Sequence, residues 1–234
     1  MAYTLTRADI LSVPADAAVI LVENGMKPSQ NPASQMLAAA GGEDFLAALR
    51  EKRFLPVGSA WPVSPCTLPF RHMIAVAAPR WWNGESNELF VLHRCYESIY
   101  AAARKLGCKS IATPFLSTAY YHYPLDRAVN IAEREARRGG VETIFCAETD
   151  ELFALGQLPY RKPEIVEYIG YYRDHGVFRL DNGLYAKVDL REELRDVSIR
   201  PFVDSCYHIG INPLQPPLPE TEIARLRAIY EQSE

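Results

Sequence analysis

The chain has 234 residues, 48% hydrophobic and 23% charged, and its 25 basic and 29 acidic side chains leave a formal net charge of −4. That is ordinary globular composition, with length for one domain of usual size plus an addition, or for two small ones. The charge balance gives no bulk attraction to nucleic acid or an anionic membrane, and no apolar run reaches the roughly 18 to 20 residues that cross a bilayer.

The N-terminus lacks the charged-then-apolar order of a signal peptide. The cysteines are Cys66, Cys95, Cys108, Cys146 and Cys206. They are widely spaced, odd in number and without a C-x-x-C pair, so they read as reduced thiols of a cytoplasmic protein. Cys206 and His208 could share a strand face, but two ligands do not make a metal site. No metal and no cofactor is expected.

The first apolar run, residues 17–22, fits a strand buried on both faces and ends at Glu23, Asn24 and Gly25. A polar loop follows. Asn31 and Pro32 suit the cap and first turn of a helix over 33–50, with an interruption expected at Gly41 and Gly42. Residues 73–78 form a second buried strand, stopped by Pro79. Residues 87–106 carry Leu89, Leu92, Cys95, Tyr96, Ile99, Ala102 and Ala103 at three- and four-residue steps, a helix closed by Gly107. A short strand at 110–113, a helix at 125–138, a strand at 141–147 and a short helix near 151–155 complete this stretch. Continuous apolar strands alternating with helices predict a largely parallel sheet covered by helices. Right-handed crossovers then gather the strand-to-helix loops at one sheet edge, where such folds bind ligands.

Residues 1–157 are expected as one domain and 158–234 as a C-terminal extension. In the extension, Ile165, Tyr168, Ile169 and Tyr172 predict a helix over 162–174. Residues 177–188 predict a hairpin turning at Asn182 and Gly183. A further strand is expected within 198–209, then a proline-rich connector over 212–219 and an amphipathic helix over 220–232.

Residues 112–124 are the most informative stretch. A short turn of small polar residues between a buried strand and a helix can cradle phosphate with its backbone N–H groups. It can equally be a structural loop with its tyrosines packed in the core. Pro114, Leu116, Ser117, Thr118, Tyr121, Tyr123 and Pro124 resemble the Pro-x-hydrophobic-Ser-Thr-Gly turn and following aromatics of the macrodomain family. Arg7-Ala8-Asp9-Ile10 with residues 14–19 is similar to that family's opening motif, residues 74–82 to the strand it ends in Gly-Pro and an aromatic, and residues 92–114 to its long helix and next strand. The resemblance covers about two thirds of the chain.

It implies a three-layer α/β/α fold with a mixed, largely parallel sheet, and a cleft at the strand ends that takes ADP-ribose or a related adenine nucleotide. Ser117, Thr118, Ala119, Tyr120 and Tyr121 would wrap the diphosphate and touch the distal ribose. Asp9, beside Ile10, would accept a hydrogen bond from the adenine amino group, although a turn or helix cap suits Asp9 as well. Glu23 and Asn24 stand at the ribose position, where Glu23 would hold hydroxyls or activate water, or simply face solvent. Partners implied are an ADP-ribose-type nucleotide and an ADP-ribosylated protein.

The departures are equally specific. The family's Asn-Ala-Ala-Asn is replaced by Ile20, Leu21, Val22 and Glu23, with Asn24 one residue late. The glycine-rich loop is replaced by residues 25–32, with one glycine and two prolines, hence fewer amide donors. Lys27 or Asn31 could replace some of the phosphate contacts, or the loop has lost contact with the ligand. Ala119 stands where glycine is usual, and a positive φ there would cost about 1 kcal/mol or more. No Walker loop, dinucleotide fingerprint or nucleophile turn is present. His122 beside the loop is an exposed histidine or a general base, and no catalytic residue is assigned. Three readings follow: a nucleotide-binding module, a hydrolase acting on ADP-ribosylated protein or small esters, and a structural or interaction module that kept the fold and lost the ligand. A cleft filled by residues 26–30 would favour the third.

Overall fold

The structure is a computed structural model and describes residues 3–23, 25–82, 87–172, 175–182, 184–191, 197–200 and 218–233. The chain divides into two compact units, Met1–Tyr160 and Arg161–Glu234.

The first unit is built on a seven-stranded sheet. Its strands are β1 (Tyr3–Thr6), β2 (Ala17–Glu23), β3 (Lys27–Pro28), β4 (Ala60–Val63), β5 (His72–Val76), β6 (Ser110–Pro114) and β7 (Glu142–Cys146). The order is β1-β7-β6-β2-β5-β4, with β3 paired to the end of β2. Neighbours from β1 through β5 run parallel, whereas β4 and β3 are antiparallel to β5 and β2. Helices α1 (Pro32–Arg50), α2 (Glu88–Lys105), α3 (Leu125–Gly139) and α4 (Asp150–Gly156) supply the flanking layers. The result is the expected mixed, mostly parallel sheet between helices.

The period of two explains the layers. Ala18, Ile20 and Val22 of β2 join Met73 and Ala75 of β5 in one core with Leu37, Phe45 and Leu49 of α1. On the other face Phe145 of β7 stacks on Phe115 at 4.7 Å and meets Tyr96 of α2, while the Tyr100 hydroxyl lies 3.1 Å from that of Thr143. Asn31 caps α1 and Pro32 opens it. The expected interruption occurs at Gly42, with φ 61° and ψ −161°. Gly107 and Gly140, both at positive φ, terminate α2 and α3.

The second unit holds a four-stranded antiparallel sheet, β11-β10-β9-β8, and a helix. The strands are β8 (Ile165–Tyr172), β9 (His175–Leu180), β10 (Tyr185–Asp189) and β11 (Val197–Arg200), and the helix is α5 (Glu220–Gln232). The hairpin of β9 and β10 is as expected, as are a strand starting near 198 and the terminal helix. Gly183, the rest of the 198–209 segment with Cys206 and His208, and the connector over 212–217 lie outside the described residues.

The helix expected over 162–174 is not there: Ile165–Tyr172 is a strand. Its registers with β9 put Ile165 opposite Leu180, Tyr168 opposite Phe178 and Tyr171 opposite Gly176. Two register shifts therefore place every third residue on one face. A bulge inserts an extra residue into a period of two, which mimics helical spacing.

Among the described residues no helix is long and apolar enough to cross a membrane.

Candidate functional site

The C-terminal ends of β2, β5 and β6 lie side by side, so the segments that follow them meet at one edge of the sheet. After β6 the chain turns sharply. Leu116 donates its N–H to the Tyr96 hydroxyl, 3.1 Å away, and Tyr123 donates to the Ser117 carbonyl. Ser117 is left-handed, with φ 67°, and its buried hydroxyl donates to the Pro79 carbonyl at 2.8 Å. Thr118 donates its hydroxyl to Phe115 O. Trp81 donates its N–H to Tyr121 O at 2.9 Å. The segment after β5 is thus tied to the loop after β6 at two points.

The left-handed residues of this loop are Ser117 and His122. The strain anticipated at Ala119 is absent, because the turn is made two residues earlier and anchored there by a side-chain hydrogen bond. Among the described residues, no acceptor meets the N–H groups of Ala119, Tyr120 and Tyr121, while that of Thr118 closes the turn onto Phe115. Consecutive free amides following a left-handed residue make a concavity that suits an anion.

Glu23 ends β2. Arg80 Nη2 reaches its Oε1 at 3.3 Å, and the Arg80 guanidinium lies over the rings of Tyr120 and Tyr121, 5.1 and 4.9 Å from their centroids. The Tyr121 hydroxyl faces Glu23. Burial, reinforced by the Glu23 charge, pushes that phenol up to about 12. Beside this cluster opens a cavity of about 450 Å³, walled by Val22, Ala77, Trp82, Glu88 and Val91 as well as Glu23 and Tyr121. That size is typical of small-molecule sites.

The loop after β2 is rebuilt, as its composition implied. Met26 donates its N–H to Glu23 O, with Gly25 and Met26 both at positive φ, and the chain returns as β3. Met26 is fully buried in the core under α1. Ser29 donates its N–H to Leu21 O, and Gln35 donates its side-chain N–H to Ser29 O. Ser29 and Asn31 then stand against residues 117–121, across a crevice with no room for a water-sized sphere. Asn31 is no substitute phosphate ligand: its Oδ1 accepts from Ser34 N, and its Nδ2 donates to Glu148 Oε2 at 2.8 Å. Glu148 also accepts from Ala33 N at 3.0 Å, so its carboxylate sits on the N-terminus of α1. Burial raises the Glu148 carboxyl, and the bonds from Ala33 and Asn31 pull it back.

Asp9 is exposed and caps a short 3-10 turn, Ile10–Ser12, its Oδ1 accepting from Leu11 N at 2.9 Å. Oδ2 meets no donor among the described residues. The Ile10 side chain is buried in the core, so only its backbone can face a ligand. Asp9 and Glu148 both approach Cys146, whose thiol is pushed up to about 12 by burial first and by these charges second. Asn24 lies outside the described residues. The structure therefore joins Glu23 to Tyr120 and Tyr121 through Arg80, and sets Asp9 on the side of Cys146 and Glu148. Sequence reasoning gave no role to Arg80, Glu88 or Glu148. The partners of Arg80 and Glu148 are distant along the chain, whereas Glu88 accepts from Trp82 N only six positions away, and the one local signal was an arginine shortly after a buried strand. Among the described residues no three His, Cys, Asp or Glu side chains gather as metal ligands.

The Macro domain family model matches residues 25–132. A macro domain-containing protein of Ralstonia nicotianae is 31% identical over 143 residues, 60% of this chain and 83% of that protein. A protein of Citrobacter rodentium named O-acetyl-ADP-ribose deacetylase is 32% identical over 151 residues, 61% of this chain and 85% of its own length. Among solved structures, the Oceanobacillus iheyensis macrodomain with ADP matches at a TM-score of 0.61 and 20% identity, over 66% of this chain and 87% of that one. The Trypanosoma brucei macrodomain in complex with ADP matches at 0.58 and 21%, over 66% and 67%. With this sheet order, these strand-end loops and relatives of this similarity, the chain belongs to the macro domain family.

Proposed function

We propose that this protein binds ADP-ribose, or a closely related adenine diphosphate nucleotide, in the cleft at the ends of β2, β5 and β6. The observation that carries the reading is the run of free amides from Ala119 to Tyr121, whose last member also lines the 450 Å³ cavity. Backbone N–H groups at the mouth of a helix-flanked turn favour phosphate oxygens. Asp9, with Oδ2 open, takes the adenine amino group. Glu23 and Asn24 take the distal ribose, and Ser117 holds the turn in shape. The ADP-bound macrodomains and the deacetylase named above support this choice of ligand class.

Titration calorimetry with ADP-ribose tests it. The expected result is saturable heat that weakens in Asp9→Ala, and no heat at millimolar ligand would refute the reading. The closed crevice between Ser29 and residues 117–121, with Glu148 on α1, favours a second reading: a module that keeps the fold for interaction alone. Absence of heat with both ADP-ribose and ADP would select it. A hydrolase reading, in which an ADP-ribosylated protein is substrate, is decided by whether label is lost at high protein concentration.

A further inference from the structure

A nucleoside diphosphate brings two or more negative charges that must be met by cations or several N–H donors. The rebuilt first loop offers one exposed cation, Lys27, and most of its backbone donors are already used. Met26 N and Ser29 N donate to Glu23 O and Leu21 O, Ser34 N donates to Asn31, and Ala33 N donates to Glu148. Pro28 and Pro32 have no N–H. The end of α1, where a helix dipole would welcome a phosphate, already faces the Glu148 carboxylate. Beyond Lys27, the charge is left to the opposite wall.

On that wall Arg80 stands beside the free amides. Its backbone is held by the bonds from Trp81 N to Tyr121 O and from Ser117 Oγ to Pro79 O. Its guanidinium rests on Tyr120 and Tyr121, and its side chain is half exposed. The ion pair with Glu23 is a single contact at 3.3 Å, near the surface. Such pairs are weak, whereas a guanidinium binds phosphate through two parallel N–H groups.

We propose that Arg80 is the phosphate-binding cation of this cleft, exchanging the Glu23 carboxylate for the ligand's diphosphate and releasing Glu23 to the ribose hydroxyls. The proposal rests on the nucleotide-binding reading above. It gives the two residues opposite signatures. Arg80 is required for any phosphorylated ligand. Glu23 competes with phosphate for Arg80, yet favours a ligand that carries a second ribose.

Calorimetry on the full chain with ADP-ribose and with ADP, at two salt concentrations, separates the possibilities. Wild-type binding of ADP-ribose establishes the underlying reading, and its failure overturns both. Given wild-type binding, Arg80→Ala is expected to lose about tenfold or more for both ligands and to flatten the salt dependence, with partial recovery in Arg80→Lys. Glu23→Gln is expected to strengthen ADP and to shrink the advantage of ADP-ribose over ADP. Thermal melting of each variant checks that it remains folded. Unchanged affinity in Arg80→Ala, with or without a loss in Lys27→Ala, overturns the assignment while the nucleotide reading stands.

Discussion

Glu133 offers a test of the electrostatics inside the first unit. It lies on α3 with only 3% of its surface exposed. The Tyr3 hydroxyl donates to its carboxylate and Arg137 attracts it, while Oε1 has no partner among the described residues. Burial wins over both favourable contacts and pushes the carboxyl from 4.5 up to about 7. Below 4.5 the folded and unfolded chains both hold the proton. Between 4.5 and about 7 the unfolded chain releases it and the folded chain keeps it, so stability falls as pH rises through that window. At about 1.4 kcal/mol per pH unit the gap is worth at most about 3.5 kcal/mol above pH 7. Glu133→Gln keeps an acceptor for Tyr3 and removes the ionisation. It is expected to stabilise the unit by about 1–3 kcal/mol at pH 8 and by far less at pH 5. Trp61, Trp81 and Trp82 are the chain's three tryptophans and all lie within Met1–Tyr160, so urea unfolding followed by tryptophan fluorescence reports this unit alone. An equal shift at both pH values, or destabilisation at pH 8, would refute the reasoning.

Two further outcomes follow from the rebuilt loop. Asn31→Ala removes the cap of Ser34 N and the bond to Glu148 together, and the same urea assay is expected to show a loss of about 1–3 kcal/mol. Met26→Ala empties a fully buried core position at the tip of the turn and is expected to cost about 2–5 kcal/mol, whereas a surface loop residue would cost almost nothing.

The strands at the centre of the first sheet were readable because both faces are buried. β2, β5, β6 and β7 therefore appear as apolar runs that no surface element imitates. The edges were not readable. β1 is short and only partly buried, and β4 carries Pro62 in an edge strand, where the missing N–H breaks no inner ladder. β8 was misread for a different reason. Its bulges put Ile165, Tyr168 and Tyr171 on one face, so its apolar spacing near three records an interrupted strand. Gly170 and the β-branched and aromatic neighbours were the contrary signal.

In the candidate site, legibility followed sequence distance. The turn at residues 117–121 announced itself through small residues between a strand and a helix, although the left-handed position proved to be Ser117 rather than Ala119. The contacts that decide its chemistry join residues far apart. Glu148 reaches Ala33 across 115 positions, and Arg80 reaches Glu23 across 57. These two carboxylates together constrain where charge can go. With Glu148 on the N-terminus of α1, a phosphate placed there would meet a like charge at hydrogen-bond range and lose the helix amide it needs. With Glu23 already beside Arg80, a phosphate arriving at residues 118–121 meets a guanidinium whose present partner is held by one long contact. Exchange of one carboxylate for a phosphate costs little there, whereas displacing Glu148 would strand a buried carboxylate and uncap a helix. Loss of the glycine-rich loop therefore does not by itself remove anion binding from the fold. It moves the favourable place for a diphosphate from the first loop toward Arg80, and that displacement is what the Arg80 and Glu23 variants measure.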